Sequence, residues 1–74
     1  MSTLEHQLGR TLREVRERRG WSQEALAALA NLDRSYLGEI ERGKVSPSLA
    51  TLNKLAHAIG LPVSELLKLT EQSA

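Results

Sequence analysis

Seventy-four residues, 41% hydrophobic and 26% charged, make one small globular domain whose limited core needs good helix packing or oligomerisation to support it. The absence of cysteine excludes disulfides and thiolate metal sites and fits a reducing cytoplasm, no apolar run reaches membrane-spanning length, and the start carries no signal-peptide pattern. A net charge of +1 excludes a strongly basic, nonspecific nucleic-acid coat, so any contact with nucleic acid must come from how the charges are arranged.

Ser2, with Glu5 three residues on, makes a capping box. Leu4, Leu8, Leu12 and Val15 then recur at helical spacing, which predicts a helix over 3–19 closed by Gly20. Its other faces carry Arg10, Arg13, Glu14, Glu17 and Arg18, read as a solvated surface with helical ion pairs. Ser22 can cap a second helix over 23–30, with Trp21 and Leu26 at staple spacing. Asp33 can cap a third over 34–42, with Leu32 and Leu37 spaced likewise. Asn31 lies between them, where the chain needs a left-handed residue.

The third helix divides into two faces. Leu37 and Ile40 point one way; Arg34, Ser35, Gly38, Glu39 and Arg42 point the other. Such a polar face can read bases in a DNA major groove. Arg34 can donate two hydrogen bonds to guanine, Ser35 can contact several base edges, and Glu39 can accept from cytosine. Gly38 would allow close approach, and Tyr36, on the flank, could touch the sugar–phosphate backbone. Gln23 follows its cap, where unpaired N–H groups suit a phosphate and an amide adds donors. Arg42, Lys44 and Ser48 are further candidates for holding phosphates.

Residues 43–48 form a loop of turn formers, and Ser48 caps a fourth helix over 49–59. Its stripe is Leu49, Leu52, Leu55, Ala56 and Ile59, closed by Gly60. A fifth helix over 63–70 starts with Pro62 in its first turn or with Ser64 as cap, and Thr70 to Ala74 is expected to fray. Leu61, Val63, Leu66, Leu67 and Leu69 exceed what one face of a short helix can bury. They are the predicted surface for a homodimer. No catalytic constellation is present: His6 and His57 stand far apart, no nucleophile has a base, and no metal or cofactor motif occurs.

The runs Ser22-Gln23-Glu24-Ala25-Leu26-Ala27, Arg34-Ser35-Tyr36-Leu37 and Ile40-Glu41-Arg42-Gly43 together resemble the helix-turn-helix of the Cro/C1-type repressor family. The Arg34-Ser35-Tyr36-Leu37 run is similar to the controller proteins of restriction–modification systems, which are small homodimeric transcription regulators. The resemblance covers Leu8 to Leu67. It implies an all-α, compact, five-helix lambda-repressor-like domain over residues 1–74, with helices two and three as the DNA-binding motif. It also implies that Arg16 reaches Glu41 in a structural ion pair and that Gln23 braces the reading helix. The expected partners are an operator duplex, a second copy of the chain and RNA polymerase, with no membrane, cofactor or small-molecule ligand. Two other readings stay open: an antitoxin-like DNA-binding protein that mainly binds another protein, and a helical interaction module that binds no DNA.

Overall fold

The computed structural model describes residues 3–72, which form helices α1 (Leu4–Arg18), α2 (Gln23–Leu29), α3 (Arg34–Glu41), α4 (Leu49–Ala58) and α5 (Val63–Gln72). No strand occurs among the described residues. Local chemistry sets most boundaries. The side chains of Ser22, Asp33 and Ser48 accept from Ala25, Ser35 and Thr51 backbone N–H groups. These bonds satisfy donors that a helix start otherwise leaves unpaired. Thr3 does the same for α1, accepting from His6 N–H at 3.1 Å. The predicted cap, Ser2, lies outside the described residues.

The ends of α1, α2, α3 and α4 close through the same pair of backbone bonds. After α2, Leu32 N–H reaches Ala27 O at 2.8 Å and Asn31 N–H reaches Ala28 O at 3.2 Å. That return requires a left-handed residue, and Asn31 supplies it with φ 55°. Gly43 has the same task after α3, at φ 73°. A side chain there would also collide with the His6 ring, with Cδ2 2.5 Å from the position of a Cβ. His6 is thereby placed beside the end of α3.

α1 packs on α3 and α5, α2 packs on α3, and α4 packs on α5. Leu12, Leu26, Leu37, Ile40, Leu55, Ile59 and Leu66 are fully buried between them. Burying each such side chain contributes about 1.5–3 kcal/mol before entropy is counted. Where α1 crosses α3, Gly9 is buried and lies directly on the backbone of the α3 C-terminus. A Cβ at Gly9 would meet the carbonyl oxygen of Ile40 at 2.5 Å and that of Glu41 still closer.

Three expectations are corrected. Leu4 and Leu49, placed on apolar stripes, are 59% and 77% exposed. Each is the first residue of its helix; Leu4 borders a shallow apolar pocket with Leu8, Leu52 and Leu67, and Leu49 stands in solvent. Thr70, expected to fray, is fully buried, and its hydroxyl donates to Leu66 O at 2.8 Å. α5 therefore continues to Gln72. Pro62 O accepts from Glu65 and Leu66 N–H, so the helix starts at Val63 and Ser64 lies inside it.

Candidate nucleic-acid interface

α2 and α3 are joined by a short turn and fixed to α1 by one polar cluster. Arg16 on α1 donates from Nε to Glu41 Oε2 at 2.8 Å and from Nη2 to Glu41 Oε1 at 3.0 Å. Its third bond runs from Nη1 to Trp21 O at 2.9 Å. Gln23 Nε2 donates to the same Glu41 Oε1 at 3.1 Å. Side-chain exposure is 11% for Arg16 and 3% for Glu41, so this is a buried, bidentate pair rather than a surface contact. The hydrogen bond to Glu41 raises the Arg16 pKa above its ordinary value, against the opposing effect of burial. The cluster ties the start of α2 and the end of α3 to the middle of α1.

The outer face of α3 starts at its cap. Asp33 Oδ1 accepts from both Ser35 N–H at 3.1 Å and the Ser35 hydroxyl at 3.0 Å. Ser35 thus spends its proton on the cap and offers its oxygen outward as an acceptor. Arg34 is exposed beside it, with Nε 3.8 Å from Glu24 Oε2 and both side chains more than half in solvent. Glu39 is half-buried on the same helix, and Arg42 and Lys44 are exposed at its end. Ser48 is also exposed, although its oxygen is engaged in capping α4. Tyr36 is half-buried and packs partly against the core.

Gly38 is buried and is not an open point of approach. A Cβ there would lie 3.1 Å from Arg42 Nη1 and 3.7 Å from Gln23 Oε1. Its missing side chain makes room for those two groups to cross the helix surface. The dimer prediction also changes. Leu66 is fully buried in the monomer and cannot meet a partner. Leu61, Val63 and Leu67 are half-buried against the core, and Leu69 is half-buried. α5 packs on both α1 and α4, so it buries more of its surface than one face of a bundle helix would.

Sequence reasoning passed over Gly9, although a glycine in a helix interior is itself a sign of close backbone approach. Arg13 does stand on a solvated surface and pairs with Glu17 one turn on, as the helical ion-pair reading expects. Arg13 and Arg16 line a cavity with Gln23, Glu41 and Arg42, beside the braced turn. Among the described residues no group of His, Cys, Asp and Glu could hold a metal, and no helix is long and apolar enough to cross a membrane.

Comparison with known proteins agrees with this geometry. The helix-turn-helix family model HTH_3 matches residues 12–66. The crystal structure of the restriction–modification controller protein C.AhdI from Aeromonas hydrophila superposes with a TM-score of 0.80 at 47% identity, over 84% of this chain and 94% of that one. The control protein C.MunI from a Mycoplasma species is 39% identical over 89% of this chain and 90% of its own length. The HTH-type transcriptional regulator SutR of Escherichia coli K12 is 39% identical over 90% of this chain. The chain spans 38%, 42% and 35% of three of the longer curated relatives it matches, SutR included.

Proposed function

The chain belongs to the helix-turn-helix family, and from that premise we propose that it is a sequence-specific regulator of transcription. It binds double-stranded DNA as a homodimer at a two-half-site operator, in the manner of a restriction–modification controller. The observation that carries this reading is the way α3 is held. Its N-terminal Arg34 and Ser35 stand in solvent, while its C-terminal Glu41 is locked to α1 and α2 by a buried pair. A helix that presents polar side chains at one end and cannot rock at the other is suited to base reading in the major groove.

In this reading Arg34 makes the bidentate contact to guanine, Ser35 accepts from a base edge and Glu39 accepts from cytosine. Gln23, Tyr36, Arg42, Lys44 and Ser48 meet the backbone and fix register. The dimer forms through the outward sides of Leu61, Val63, Leu67 and Leu69. Likeness to C.AhdI and C.MunI, which match this chain over most of their own length, supports the controller role.

Titration against a randomised duplex pool at two salt concentrations tests the reading. The expected result is enrichment of a two-fold symmetric site whose half-sites lie about 34–36 Å apart. A pool with no enriched sequence would overturn it in favour of a protein-interaction module. Chromosomal neighbours tell the controller role from an antitoxin role: restriction and methyltransferase genes on one reading, a toxin gene on the other.

A further inference from the structure

The cavity beside the braced turn has a volume of about 280 Å³ and is walled by Arg13, Arg16, Gln23, Glu41 and Arg42. Its charges do not cancel. Glu41 is consumed by Arg16 in the bidentate pair, which leaves Arg13 and Arg42 as two further positive charges in the lining. Arg42 has no ion pair among the described residues. Arg13 has only Glu17, bound at 3.1 Å with side-chain exposures of 63% and 54%. A solvated pair of this kind is weak and easily exchanged. Two guanidinium groups and the one N–H that the Gln23 amide keeps after bonding Glu41 match the charge and donor needs of one phosphodiester.

We propose that this cavity seats a backbone phosphate of the bound duplex, with Arg13 of α1 as its second cation, released to the phosphate from Glu17. The proposal rests on the DNA-binding reading above and extends the interface to a helix outside the motif. Free protein holds Arg13 on Glu17. When the duplex arrives, the guanidinium trades a solvated carboxylate for a phosphate already partly desolvated by Gln23 and Arg42. Glu17 is then an internal competitor, and its removal strengthens binding through Arg13.

The test titrates the full chain against its selected operator at about 50 and 200 mM salt, comparing wild type, Arg13→Ala, Glu17→Gln and the double variant. Each phosphate contact contributes about 0.9 to the salt slope, so losing one shrinks the affinity ratio between those salts by roughly 3.5-fold. Arg13→Ala is expected to show that loss with base preference unchanged. Glu17→Gln is expected to tighten binding in the wild-type background and to do so less in Arg13→Ala. An unchanged slope in Arg13→Ala overturns the proposal. An equal gain from Glu17→Gln in both backgrounds also overturns it, because Glu17 would then act as a plain negative charge. Wild type that fails to bind any duplex sinks the DNA-binding reading itself, whereas wild-type binding with an indifferent Arg13→Ala sinks this proposal alone. Arg13 is exposed on one helix face, so circular dichroism should find the variant folded.

Discussion

Arg34 and Glu24 face each other at 3.8 Å with most of both side chains in water. So loose a pair does not hold the guanidinium back from a base. Arg34→Ala is expected to cost about 1–3 kcal/mol in operator affinity and to relax preference at one base position. Selection from a randomised pool measures both, and a uniform loss with preference intact would assign Arg34 to phosphate. Lys44→Ala should weaken all duplexes alike and lower the salt slope by about one unit, read from titrations across salt. Arg16 and Glu41 behave differently because they are buried. Arg16→Met leaves Glu41, 3% exposed, without its cation. The expected loss in urea unfolding is about 3–5 kcal/mol. Adding Glu41→Leu should recover part of it, since an apolar pair removes the stranded charge. A double variant no more stable than the single one would show that packing, not pairing, sets the cost.

At the scale of elements, the crossing of α1 over α3 depends on one missing side chain. Gly9→Ala would gain helix propensity of about 1 kcal/mol and lose more to the collision with the Ile40 and Glu41 carbonyls. We expect a net loss of about 1–3 kcal/mol by thermal or urea unfolding, from forced separation of the two helices. A neutral or stabilised variant would mean the crossing relaxes at no cost. Such crossings also mark what a sequence can and cannot disclose. Caps at Ser22, Asp33 and Ser48 and the left-handed Asn31 were legible because each is decided within a few residues. The Arg16–Glu41 contact spans 25 residues and was accessible only through family resemblance. Nothing local tells Gly9 that a carbonyl lies above it, or Thr70 that the fold buries it. Periodicity put Leu4 and Leu49 on stripes without revealing how little of each the other helices cover. Within the candidate site, the polar face of α3 was visible from spacing. The closure of Gly38 under Arg42 and Gln23, and the cavity reaching Arg13, needed three helices in place.

For the molecule as a whole, the proposed dimer must draw on what one subunit leaves uncovered. With Leu66 committed to the core, Leu69 is the apolar residue of α5 least accounted for within one subunit. Leu69→Glu is expected to leave a folded chain that sediments as a monomer at micromolar concentration and binds a two-half-site operator poorly. A variant that stays dimeric would move the contact elsewhere. If the subunits do pair through α5, the packing of α1 against both α3 and α5 takes on a further meaning. One continuous helix then carries the separation between the surface that reads and the surface that pairs, and Gly9 and the Arg16–Glu41 clasp remove the play from one end of it. Such a protein works as a fixed calliper. One base pair added between half-sites turns the second by about 35° around the duplex axis, and a rigid calliper has no hinge with which to follow it.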